Sequence, residues 1–292
     1  MLARILLAAA ALLAVLGALF YARLQPSTSL VDAAGARLTA APSTEDDAAD
    51  YEAIEALIEE GELERAKARL IERLETGESD GETCLRLARV CRELEEPDEA
   101  VDYALKATEL LPGSGAAHHA YAQALALKML RGGSKLAALA LLPKWKSALA
   151  TAIELDPSNV EARVEEIAFK AYMPSMLGGD SERALELADE LETVDAGAGR
   201  LWRIRVLDER DEDERAMDLC RACEREFSGD AMFPYTLGTI LAEHDDLAGA
   251  REAFERARSI DRGEAYYRSL SAEAELLVRL EKDPERVLEL ID

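Results

Sequence analysis

The residues best suited to chemistry in this chain are four cysteines, three histidines and a set of clustered charges. Cys220-Arg-Ala-Cys223 has the spacing of a redox pair or of half a zinc site. The pair falls in mid-helix, on two small core positions that Ala104/Ala107 and Phe254/Ala257 occupy elsewhere, where a thiol serves as a small hydrophobe. Core filling is the preferred role, with a disulfide or a metal site as alternatives. Cys84 and Cys91 are two turns apart, about 10 Å along one helix, too far to bridge each other. His118 and His119 are neighbours, so on a helix they point about 100° apart instead of sharing a face. The acidic run Asp208–Glu214 is interrupted by Arg210 and lacks the glycine of a calcium loop, which makes it a solvated turn between helices. No Gly-x-Ser-x-Gly, P-loop or His-Glu-x-x-His phrase occurs. Nothing assembles a nucleophile, a base and an oxyanion site, so the expectation is no enzyme, no cofactor and no metal.

The charges are more informative. Arg86, Arg89 and Arg92 recur every three residues and form a basic stripe along one helix. A guanidinium binds a carboxylate through two parallel hydrogen bonds, and aromatic rings supply apolar anchor area. Equivalent faces of later helices carry His119 and Gln123, then Trp202 and Arg205, then Tyr235 and Thr239. The competing role for the stripe is internal pairing with Glu82, Glu93, Glu95 and Glu96. A second basic region, residues 113–153, holds Lys128, Arg131, Lys135, Lys144 and Lys146 and no acid. It could meet an anionic lipid or acidic partner, or neutralise neighbouring acidic segments.

These side chains must be positioned by helices. Of 292 residues, aromatics make up only 5%, while Ala, Leu, Glu and Arg dominate, a mixture that suits helices and starves sheets. The net charge of −25 argues against nucleic acid as a partner. Self-comparison then exposes a repeat. Gly61-Glu-Leu-Glu-Arg-Ala66 is echoed by Glu96-Pro-Asp-Glu-Ala100, and Asp213-Glu-Arg-Ala216 by Asp246-Leu-Ala-Gly-Ala250; both steps between the alanines are 34 residues. Gly179-Asp-Ser-Glu-Arg-Ala184 is a further copy. The clearest unit is Tyr235-Thr-Leu-Gly238…Leu241, a polar turn, then Ala250…Phe254-Glu-Arg-Ala257. Gly238, Ala250 and Ala257 let two helices approach, and Leu237, Leu241 and Phe254 fill the space between them.

These residues resemble the tetratricopeptide repeat (TPR) family. The resemblance implies an all-α, TPR-like solenoid of antiparallel helix pairs over residues 49–292, in units near 48–79, 81–112, 115–157, 159–196, 198–228 and 231–262 with a capping pair beyond. It also implies that first helices line a concave face where a protein or peptide partner lies. Spacing departs from 34 twice, implying an insertion of about 11 residues before Trp145 and a smaller one at Tyr172–Asp180. These loop phrases are similar to exported bacterial TPR proteins and, more distantly, to the TPR subunit of tripartite periplasmic transporters. The lysine and asparagine of the chaperone-tail clamp are absent, their places holding Tyr51/Glu55, Leu85/Arg89 and His119/Gln123.

Ahead of the repeats, Ile5–Ala22 is an uncharged apolar run behind Arg4, long enough to cross a bilayer. Residues 1–23 are therefore expected to be a transmembrane anchor or signal segment, and 24–48 a flexible linker. With Arg4 inside, the repeat domain would face the periplasm of a bacterial inner membrane, or be secreted there after cleavage. The function expected is a non-catalytic, envelope-tethered protein-interaction module. An accessory subunit of a solute transporter and a scaffold that self-associates as a homo-oligomer are the alternatives.

Overall fold

The computed structural model describes residues 45–75, 80–260 and 262–280. The expected membrane segment and most of the expected linker lie outside the described residues. The first helix starts at Glu45, inside the stretch expected to be linker.

Among the described residues there are thirteen α-helices, one 3₁₀ turn and no strand. Short turns join them as α1 (Glu45–Glu59) with α2 (Leu63–Glu75), α3 (Gly81–Glu93) with α4 (Pro97–Leu110), and α5 (Gly115–Arg131) with α6 (Lys135–Leu155). There follow α7 (Val160–Tyr172), α8 (Ser181–Glu192), α9 (Ala196–Glu209), α10 (Asp213–Glu226), α11 (Met232–Glu243), α12 (Leu247–Ile260) and α13 (Glu264–Leu280). Contacts divide the described chain into two compact units, residues 45–163 and residues 164–280, so that α7 begins in one and ends in the other.

The repeat is written into the turns. Gly61, Glu95, Asp211 and Asp245 all have positive φ, between 57° and 75°. In each case the next residue's N–H donates back five residues: Glu62 to Leu57, Glu96 to Cys91, Glu212 to Leu207 and Asp246 to Leu241, at 2.8–2.9 Å. This pattern satisfies carbonyls at the end of the first helix and reverses the chain. Helix starts are capped by short polar side chains: Asp80 accepts from Thr83 N–H, Ser114 from Ala117, Ser134 from Ala137, Asp180 from Arg183 and Asp195 from Ala198.

In the first unit, Tyr51, Ile54 and Ile58 of α1 pack with Ala66 and Leu70 of α2 and with Leu87 and Val90 of α3. In the second, Ile204 and Leu207 meet Ala216, Cys220 and Cys223, and these meet Phe233, Leu237, Ile240, Leu241, Ala250 and Phe254. Gly238 is required by the close approach of α11 to α12, since a Cβ there would fall 2.5 Å from the Phe254 ring. First helices of successive pairs also touch: α3 lies against α5, α9 against α11, and α11 against α13.

The 11-residue insertion expected before Trp145 is not a loop. Lys135–Leu155 is one 21-residue helix with Pro143 inside it, so the extra residues lengthen the second helix of the pair. Proline removes the bond to the carbonyl four residues back without ending the helix here. α6 is long and apolar enough to cross a membrane by length and composition. It nevertheless buries Ala138, Leu142, Trp145, Ala148, Leu149 and Ala152, and exposes Lys144 and Lys146 at mid-length. The second insertion contains the 3₁₀ turn Ser175–Leu177, closed by Gly178 at φ 107°. The Lys170 ammonium donates to the Gly178 carbonyl at 3.2 Å, and Asp180 N–H to the Lys170 carbonyl at 2.8 Å.

Candidate functional site

The first helices carry nearly all the side chains that the sequence marks for recognition, and each unit presents its own set. In the first unit the centre is Tyr51 on α1. Its ring lies between two guanidiniums, Arg73 at 4.4 Å and Arg86 at 4.1 Å from the centroid. Its hydroxyl bonds to Asp80 at 2.8 Å and to Thr83 at 2.7 Å, and burial pushes its pKa up. Arg86 is buried and pairs with Glu55 at 3.1 Å and Glu82 at 2.9 Å. Arg89 is more open and pairs with the second Glu55 oxygen and with Glu93, both at 3.1 Å. Arg92 is half-buried and also partnered.

The stripe is therefore mostly consumed inside the fold. Arg86 is buried, with Nε on Glu55, Nη1 on Glu82 and its guanidinium over the Tyr51 ring, so it is built into the fold rather than open as a carboxylate clamp. Two expected partners are taken up elsewhere: Glu96 holds Lys67 at 2.6 Å, and Glu95 pairs with Arg131. Farther along the same unit, His119 and Gln123 are buried and hydrogen-bonded to each other at 3.1 Å, and the Asn159 amide reaches His119 at 3.3 Å.

In the second unit the first helices carry aromatic rings topped by arginines. Trp202 is buried, meets Tyr172 edge-on at 6.5 Å, and lies under Arg205 at 5.0 Å. Tyr235 is half-buried, packs on Phe254 at 6.0 Å, and lies under Arg268 of α13 at 5.9 Å. Burial pushes the Tyr172 hydroxyl up. The half-buried Thr239 hydroxyl donates to the Thr236 carbonyl at 2.7 Å.

The cysteines are buried free thiols. Cys220 donates to the Phe233 carbonyl at 3.0 Å, and burial pushes its thiol up to about 12, far from a reactive thiolate. Cys91 lies near Glu96 and Glu99, a donor set of metal-binding type. Lys67 already holds both carboxylates, at 2.6 and 2.8 Å, and the thiol is pushed up to about 12 by burial.

One cluster was not legible in the acidic turn. Asp208 and Asp213 come together with His244 from the next turn, their donor atoms all within 4.8 Å of one another. His244 Nε2 stands 3.2 Å from Asp213. Burial, and then the charges of Glu243 and Asp213, push Asp208 up to about 6. A carboxyl raised in the folded state stabilises the fold below its ordinary value near 3.8, and that contribution is lost as pH rises through about 6. Asp208→Asn is therefore expected to raise the Tm of the second unit at pH 7.5 and to leave it unchanged near pH 3.5. Thermal melts of both proteins at the two pH values check this.

Residues 81–112, which hold α3 and α4, match the model of the tetratricopeptide repeat. A crystal structure of a tetratricopeptide repeat protein from Parabacteroides merdae superposes with a TM-score of 0.56 at 13% identity, covering 82% of this chain and 95% of that one. The chain has a tetratricopeptide-repeat fold. Other solved structures that match are yeast Tom70 (TM-score 0.49, 14% identity, 77% of this chain) and YrrB, a TPR protein described as having an unusual peptide-binding site (0.42, 15%, 70% of this chain and 97% of that one). The chain spans 45% of the length of the Tom70 structure. No curated protein matches it.

Proposed function

We infer that this chain is a non-catalytic TPR-type module that binds a protein or peptide along its first-helix faces. What carries the inference is the repeated placement of arginine over an aromatic ring, Arg205 on Trp202 and Arg268 on Tyr235, on half-open first helices of one unit. Trp202 is buried beneath its arginine and Tyr235 is half-buried, and arginine and aromatic side chains are the types that most often anchor a partner. Arg89, with 41% of its side chain exposed, is the stripe member that fits contact with a partner. The apolar run Ile5–Ala22 behind Arg4 supports tethering to a bacterial inner membrane with the repeats in the periplasm.

A photo-crosslinking amino acid placed at Arg89 or Thr239, on first helices, is expected to trap a protein partner in cells. The same group at Glu109 or Glu255, exposed on second helices, serves as the control. Adducts formed only from Glu109 and Glu255 would overturn the assignment. Adducts between two copies of this chain would replace a separate partner with self-association.

A further inference from the structure

The acid-free segment builds a pocket that the first-helix faces do not use. A cavity of about 320 Å³ opens between α4, α5 and α6, and its wall includes Thr108, His118, Tyr121, Lys144, Ser147 and Thr151. That volume is at the small end of the range for ligand sites. No carboxylate is among the lining residues, in a chain with 59 acidic side chains.

The basic residues of this segment divide by what they touch. Lys128 pairs with Asp98 at 2.9 Å and Arg131 with Glu95, so these two neutralise the preceding repeat. Lys144 is exposed and has no ion-pair partner among the described residues. Its charge is left to the pocket. The hydroxyls divide in the same way. Thr108 and Thr151 donate to the carbonyls of Leu105 and Ser147 at 2.7 and 3.0 Å. Among the described residues, the Tyr121 and Ser147 hydroxyls have no hydrogen-bond partner. His118 Nε2 donates to the Pro112 carbonyl at 3.2 Å, which holds its ring in the wall.

We propose that this pocket binds a phosphate-type oxyanion. An ammonium and two unspent hydroxyls, standing on two helices, are separate single-point donors, and they suit an anion whose oxygens point in different directions. A planar carboxylate is better matched by the guanidinium fork, which this wall lacks. Lys144 supplies the charge and Tyr121 and Ser147 the directional hydrogen bonds. The anion can be free phosphate or the phosphate of a lipid headgroup, since both present the same oxygens.

The test is calorimetric titration of the full chain with inorganic phosphate at low salt. Flotation with phosphatidylglycerol and with phosphatidylcholine vesicles runs in parallel, and the difference between the two vesicle types is what is read. Lys144→Glu is expected to weaken phosphate binding at least tenfold and to abolish the preference for phosphatidylglycerol if the source is a headgroup. Lys135→Glu makes the same charge change on the same helix outside the pocket, and should leave both within twofold. Free phosphate binding that depends on Lys144 identifies a soluble ligand, and a Lys144-dependent vesicle preference alone identifies a headgroup. Equal losses in the two variants, meaning a diffuse basic surface, overturn the proposal. So does absence of both signals in the unaltered chain that melts with its normal Tm.

Discussion

Replacing Arg86 by alanine is expected to lower the stability of the first unit by about 3 kcal/mol, the lower end of the cost of breaking a buried ion pair. Glu82, which is also buried, would lose the guanidinium at 2.9 Å, and no other cation within hydrogen-bond distance of it is described. Tyr51 would lose one of the two cations on its ring. Glu55 retains Arg89, which limits the damage on that side. For a unit of this size the loss corresponds to roughly 10 °C in Tm. Arg86→Met with Glu82→Met, which removes both charges together, should recover most of it, because the cost lies in the stranded carboxylate rather than in the missing pair. Thermal melts of the single and double variants decide; a single variant melting within 2 °C of the parent would show that Arg86 is not a structural residue. The consequence for function is direct. Reversing Arg86 would damage the fold and any binding together, whereas Arg89→Glu acts at a half-open side chain, breaking its pairs with Glu55 and Glu93 but leaving the buried Arg86–Glu82 pair in place.

Phe254→Ala is expected to cost the second unit 3–5 kcal/mol, the range for deleting a buried phenyl ring. Phe254 is 1% exposed and packs against both Gly238 and Tyr235. The glycine leaves no Cβ to move into the space, and helices held by the surrounding core cannot close it fully. Because Tyr235 rests on that ring and lies under Arg268, the same change should loosen the first-helix face around it. Urea unfolding measures the first effect. Amide hydrogen exchange along α11 around Tyr235 measures the second. An unfolding midpoint unchanged from the parent would mean that the α11–α12 contact is not built on this ring.

The helix pairs were legible because their packing is local and periodic. Ala66 and Ala100, and Ala216 and Ala250, stand 34 residues apart, and each is fully buried where two helices meet. Gly238 opposite Phe254 is the same logic, a missing Cβ matched to a large ring. Cys220 and Cys223 could be placed in the core because they hold the positions of Phe254 and Ala257 in the neighbouring repeat. The acid-free segment was visible as composition, but Pro143 concealed that it continues one long helix, since a proline ordinarily reads as a break.

The residue types and their period were enough to determine that this chain folds as antiparallel helix pairs, which residues lie between them, and that it carries no familiar catalytic phrase. Only the tertiary structure decided which charges remain available. Tyr51 meets Asp80, Lys67 meets Glu96, Arg86 meets Glu55 and Asp213 meets His244, all across about one repeat length of chain. A helical pattern accounts for neighbours three and four residues away on one helix. The partner that consumes an arginine, or leaves Lys144 without one, sits on the next helix pair, and its register there is set by how the two pairs pack.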